Sequence, residues 1–247
     1  MAMLEVCVDS AAGLEACEAA GAKNIELCSA LALGGLTPSA GMMGLAGKTS
    51  LSTFAMIRPR SGNFIFDRNE IALMCDDISA AADAGLDGVV MGVADEKGAL
   101  NVAALSRLCK SAGAMGKTLH RIIDTLDDPL TGLEQAIDLG FDRVLSSGGA
   151  ASVEHGLNVL SELHSQAAGR IEILAGSGLT PSLIVPIYKE TGVTSFHCSC
   201  SRRTPADPKL HSLGFTSDAV GETDAERVKQ YLSEVNQVAV HTKKDAS

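Results

Sequence analysis

The sequence predicts a single α/β domain built as a (β/α)8 barrel, and three observations carry that expectation. Eight strand-like runs alternate with helical segments from residue 4 to about residue 200, the pattern of a parallel sheet wrapped by helices. No G-x-G-x-x-G fingerprint follows the first strand, as it would in an open dinucleotide-binding sheet. The length, 247 residues, suits one barrel rather than two domains.

Taken in order, Leu4–Val8 is the first strand, and Ser10 and Gly21 sit where a helix over Ala11–Ala20 needs its caps. Asn24–Cys28 is the second strand. A loop, Gly34 to Pro38, leads into a helix over Pro38–Ala46, with Thr37 as its cap and Pro38 at its first position. The third strand is Phe54–Ile57 within the stretch Ser52–Phe64. Pro59 cannot donate to a ladder, so the strand ends there and leaves Arg58 and Arg60 at its C-terminal mouth. Its helix, Arg68–Ala84, closes at Gly85. The fourth strand and helix are Gly88–Met91 and Asn101–Ala112; the fifth are Lys117–His120 and Pro129–Leu139. Arg143–Ser146 is the sixth strand, followed by Ser147-Gly148-Gly149 and a helix over Ser152–Gln166. Ile171–Ala175 is the seventh, with Gly176-Ser177-Gly178 and a short helix from Pro181 after it. Thr194–Cys198 is the eighth, and a polar loop, Ser199–Gly221, precedes a last helix over Asp224–Val240. With no linker-like segment, residues 1–247 form one domain, its barrel core at about 4–200 and an appended loop and helix at 201–241.

Composition narrows the function classes. Aromatic residues make up 3% of the chain with no Trp, which argues against stacking platforms for nucleic acid. A net charge of −10 argues further against nucleic-acid and anionic-membrane partners. No apolar run reaches the roughly 18 residues of a membrane span, and the start MAMLEVCVDS lacks a basic region. A cytoplasmic protein is the expectation, and a homo-oligomer. Seven scattered cysteines do not form a disulfide framework. Those in helical segments, Cys17, Cys75 and Cys109, read as packing residues. No organic cofactor is indicated.

In a barrel the working face is the C-terminal end of the strands. Arg58 and Arg60 there fit either a carboxylate or phosphate site or an ion-pair belt between loops. His120 with Asp124 a few residues on is the best acid–base pair, Asp124 fixing the imidazole, though a structural histidine tied to a loop carboxylate fits equally. Glu26 offers a second carboxylate. The turns around Ser147, Gly148, Gly176, Ser177 and Gly178 could expose N–H groups to an anion, or be glycine-rich because tight turns need glycine. His197 could line the same mouth or be packed. Parity puts Glu5 with Cys7 and Glu26 with Cys28. With strands about 4.8 Å apart, Cys7 and Cys28 could lie at one height and share Cu(I), or be two packed thiols. Cys198 and Cys200 form C-x-C, a spacing that can chelate soft metal but falls short of a closed zinc site.

Several stretches together carry a family resemblance: EVCVDS (Glu5–Ser10), IELCSA (Ile25–Ala30), GGLTPS (Gly34–Ser39), IRPRSGNF (Ile57–Phe64), HRIID (His120–Asp124), RVLSSG (Arg143–Gly148), AGSG (Ala175–Gly178) and FHCS (Phe196–Ser199). In order and spacing the chain resembles the CutC copper-homeostasis family. It departs where LHRIID stands for FHRAFD and SSG for TSG, and the match weakens beyond Arg203. The resemblance implies a barrel fold, a cytosolic role in copper handling, and Cu(I) on Cys7 and Cys28. It leaves unexplained why Glu26, Arg58, Arg60, His120 and Asp124 should converge on one mouth. The alternative is therefore a barrel enzyme acting on a small phosphorylated or carboxylated metabolite.

Overall fold

The structure, a computed structural model, describes residues 2–245. Eight parallel strands close into a barrel in chain order: β1 Met3–Val8, β2 Asn24–Leu27, β3 Ser52–Met56, β4 Gly88–Met91, β5 Gly116–Leu119, β6 Arg143–Ser146, β7 Glu172–Gly176 and β8 Ser195–Cys198. The ring is completed by β8 pairing back onto β1, Glu5 opposite His197 and Val6 opposite Cys198. Helices α1 Ala11–Ala20, α2 Ala40–Ala46, α3 Arg68–Asp83, α4 Val102–Ala112, α5 Pro129–Asp138, α6 Leu157–Ala167 and α7 Pro181–Thr191 follow the strands in turn.

Alternation along each strand sets the layers. Val6, Ile25, Leu27, Val89, Val144 and Phe196 are fully buried beneath the helices in the main apolar core. The residues between them point into the barrel, where Cys28, Met56 and Val90 form a separate, smaller cluster. Phe54 lies across the lower lumen because β4 and β5 begin with glycine there. A Cβ at Gly88 would stand 2.2 Å from its ring, and one at Gly116 2.6 Å.

Several boundaries shift for local reasons. Thr37 does not cap α2: its hydroxyl accepts the Arg58 N–H at 3.0 Å, tying the loop to the end of β3. Ser39 caps α2 instead, accepting from Met42. His120 falls just beyond β5 and caps a 3-10 turn, Arg121–Thr125, by accepting the Ile122 N–H. Val153–His155 is a 3-10 turn ahead of α6, and α7, 11 residues long, continues through Pro186.

The segment expected as a polar loop is ordered. Strand β9 Ser201–Pro205 and strand β10 Ala219–Thr223 pair antiparallel, with a short helix, α8 Pro208–Ser212, between them. Helix α9, Ala225–Asp245, then packs on α1 and α7, across the seam where β8 meets β1. Tyr231 on α9 donates to the Leu179 carbonyl at 2.7 Å. Among the described residues no helix is long and apolar enough to cross a membrane.

Candidate functional site

The lower lumen holds a buried ion pair. Arg143 Nη1 donates to Glu5 Oε2 at 2.9 Å and Arg143 Nε to Thr118 Oγ1 at 3.0 Å. Its guanidinium lies 3.6 Å over the centre of the Phe54 ring. Burial raises the Glu5 carboxyl, but His197 and Arg143 outweigh it and hold the group below the ordinary carboxylate range.

From this floor a chain of contacts rises toward the mouth. His197 Nδ1 donates to Glu5 Oε1 at 3.0 Å, which leaves Nε2 facing upward, 3.6 Å from Glu26 Oε2. Cys7 stands directly opposite Glu26 in the β1–β2 register. The ligand atoms of Cys7, Glu26 and His197 lie within 4.8 Å of one another, all buried. Burial pushes the Glu26 carboxyl up, with His197 opposing and Glu5 reinforcing the shift. Burial works against a charged His197, yet Cys7, Glu26 and Glu5 raise it well above the histidine range.

Cys7 and Cys28 are not level, as parity alone suggested. The Cys28 N–H bonds the Val8 carbonyl, one step above Cys7, because parallel strands are staggered around a closed barrel. Its thiol donates to Glu26 Oε2 at 3.4 Å. The two environments differ chemically. Burial raises both thiols, but His197 favours the thiolate at Cys7, whereas Glu26 disfavours it at Cys28.

Above these groups a cavity of about 390 Å³ opens at the C-terminal mouth, lined by Cys7, Glu26 and His197 below and Arg58, His120 and Arg121 around its rim. Cavities of about 430 and 450 Å³ open where the strands begin, near Asp142 and Glu172. Neither is lined by a convergent set of ligating groups, so the chemistry, rather than the volume, picks the mouth. Arg58 Nη1 donates to the Leu33 and Gly35 carbonyls and Nη2 to the Gly62 carbonyl, while Nε has no partner among the described residues. His120 lies beside the Phe64 ring, centres 4.7 Å apart. It packs against Gly92, where a Cβ would stand 2.4 Å from the imidazole Cε1. Burial and the neighbouring Arg58 lower its pKa to about 3. The neutral ring accepts the Ile122 N–H at Nδ1, so Nε2 carries the proton, buried and without a partner among the described residues. His120 is a hydrogen-bond donor here rather than a base.

Asp124 does not orient His120. The 3-10 turn carries it away, to accept Ser146 Oγ at 2.6 Å, the Ser147 and Gly149 N–H groups, and Arg121 Nε at 2.8 Å. Arg60 also leaves the mouth: it pairs with Glu70 at 2.5 Å and covers Phe66, so of the two arginines only Arg58 lines the cavity. Ser147 and Gly148 form the Asp124 loop rather than an anion cradle. Gly148 adopts φ 72° with its Cα against Gly156, where a Cβ would stand 2.0 Å from the Gly156 carbonyl oxygen. Ser177 borders the cavity, but Gly176 gives room to His197 and Gly178 to Ser152. Cys198 points to the helix layer, its sulfur 3.0 Å from that of Cys200, and does not join the Cys7 cluster. Sequence reasoning passed over Glu5 and Arg143 as site residues and put Arg121 at the mouth beside His120 without a role of its own. For Glu5 the signal was its parity with Cys7.

A model of the CutC family matches residues 2–202. The CutC family protein of Rhizobium meliloti (strain 1021) is 45% identical over 227 residues, covering 92% of this chain and 93% of its own. That of Vibrio atlanticus (strain LGP32) is 41% identical, covering 96% and 95%. The crystal structure of the putative copper homeostasis protein CutC from Streptococcus agalactiae superposes with a TM-score of 0.77 at 29% identity, over 81% of this chain and 99% of that one. Phosphoribosyl anthranilate isomerase from Thermococcus kodakaraensis, at 14% identity and a TM-score of 0.60 over 95% of this chain and 99% of that one, shares the fold alone. By sequence and by fold, the chain belongs to the CutC family.

Proposed function

We propose that this protein takes part in copper handling by holding one Cu(I) ion at the barrel mouth, through Cys7 and His197 with Glu26 beside them. The observation that carries this reading is the approach of those three groups within 4.8 Å, with Glu5 fixing the imidazole from behind at Nδ1. A carboxylate on the far nitrogen of a histidine is the usual support for a metal-binding ring. Thiolate and imidazole suit a soft ion, and Glu26 Oε1, buried without a hydrogen-bond partner among the described residues, is an open acceptor in the same place. Cys28, its thiol held to Glu26, stands ready as a neighbour rather than a first ligand. Since binding displaces the protons of Cys7 and His197, affinity rises with pH.

The test is an anaerobic competition titration of reduced protein with Cu(I) against a strong chelator. One ion per chain is expected, weakened at least about tenfold by Cys7→Ser and by His197→Ala, and unaffected by Cys198→Ser. Affinity indifferent to the first two substitutions would overturn the reading.

A second reading, catalysis on a small anionic metabolite, is favoured by a separate observation. Neutral His120 and the partly unpartnered Arg58 face the same cavity, and a bare ion does not need them. Here His120 donates a hydrogen bond to a substrate oxygen, and Glu26 with His197 exchanges the proton.

A further inference from the structure

Arg121 is the cation of the mouth that is held in place without being used up. Asp124 takes its Nε at 2.8 Å, and the Ser147 hydroxyl and Ala150 carbonyl take Nη2 at 2.7 and 3.1 Å. Among the described residues Nη1 has no hydrogen-bond partner, and the side chain, 39% exposed, borders the cavity. Asp124 is itself pinned by Ser146, Ser147 and Gly149, so the guanidinium is fixed before anything binds. His120, 3% exposed, lines the same cavity, and among the described residues its Nε2–H has no hydrogen-bond partner. A buried donor of that kind is satisfied when a ligand oxygen reaches it.

We infer that the mouth binds a small organic carboxylate, its oxygens taken by Arg121 Nη1 and by the His120 Nε2–H, its apolar part against Phe64 and Leu145. A carboxylate fits better than a phosphate because phosphates are usually cradled by backbone N–H groups at a turn before a helix. The turn after β6 keeps none of its own to spare: Ser147 and Gly149 donate to Asp124, and Gly148 donates to Ser146 Oγ. On the β6 side of the mouth the donors are therefore side chains, and a guanidinium N–H with an imidazole N–H matches two oxygens of a carboxylate or 2-oxo acid. His120 stays neutral, and hence a donor, through the physiological range. Asp124 becomes a positioning residue for Arg121 rather than a partner of His120. This deepens the second reading by naming its substrate class.

Calorimetric titration of metal-stripped protein with pyruvate, succinate, inorganic phosphate and uncharged glycerol tests it. The His120 imidazole N–H is followed by NMR alongside. Saturable binding of pyruvate or succinate is expected, shifting that resonance, at least about tenfold weaker in Arg121→Gln and partly restored in Arg121→Lys. The half-exposed side chain can be replaced without emptying the core, and unchanged melting of Arg121→Gln checks that the fold is intact. Carboxylate affinity equal in Arg121→Gln and the parent would overturn this inference and leave the enzyme reading standing. Phosphate binding tighter than either carboxylate would overturn the substrate class. No anion binding at all would overturn both, whereas carboxylate binding through Arg121 without turnover of any bound carboxylate would support this inference against the enzyme reading.

Discussion

Glu5 and Glu26 are both buried carboxylates in the lumen of one barrel, on adjacent strands, yet they do opposite work. Glu5 is saturated: Arg143 and His197 each donate to it at about 3 Å, and its carboxyl is held low. Glu26 has an oxygen with no hydrogen-bond partner among the described residues and a carboxyl pushed up. The same side chain is a fastening at the floor and an open acceptor at the mouth. Burial by itself therefore does not separate the two carboxylates; the hydrogen bonding each leaves open does.

Removing the floor should break this contrast most sharply. Arg143→Met breaks the buried pair and leaves the Glu5 carboxylate resting on His197 for its charge partner, and it should cost about 3–5 kcal/mol in urea unfolding. Glu26→Gln should stay within about 1 kcal/mol of the parent while weakening Cu(I) binding. Equal destabilisation by both substitutions would erase the distinction.

A smaller effect concerns pH. His120 titrates near 3 in the folded chain and near 6.5 when unfolded, so protons favour the unfolded state. Its contribution is present above the unfolded value and is lost as pH falls through the interval between the two. Compared with His120→Gln, the parent should lose stability faster from about pH 6.5 to about pH 5. Taking the difference between the two proteins removes the opposing effect of His197, whose raised value stabilises the fold at low pH. Parallel slopes would mean that His120 is not held neutral.

At the rim the effect should be smallest. Arg60 and Glu70 are 40% and 24% exposed, and Arg60→Met should cost less than about 1 kcal/mol. Cu(I) and carboxylate affinity should both survive it. Loss of either would return Arg60 to the site.

Much of the barrel could be read from the chain because each junction has a local cause, such as Ser10 capping α1 or Pro59 ending β3. The β9–β10 hairpin was not legible, since Ser201–Pro205 and Ala219–Thr223 bury no face and carry no period-two apolar signal. The site was legible in its residue types and less so in its pairings. Alternation placed Glu5 with Cys7, but the stagger that sets Cys7 against Glu26 is a property of the closed barrel. Asp124 was misassigned because closeness in sequence to His120 says nothing of a 3-10 turn that swings the carboxylate toward Ser146. Arg121 was passed over as an anchor because its freedom depends on what Asp124 leaves unbound.

The Glu5–His197 hydrogen bond joins residues 192 positions apart. The pocket is thus assembled by the first and last strands of the ring, and a nascent chain that has not yet delivered β8 has no Glu5-backed imidazole to offer. If Cys7 and His197 hold the proposed ion, its capture certifies completed synthesis: truncated or half-folded chains would be blind to it, and only a finished, closed molecule would compete for it.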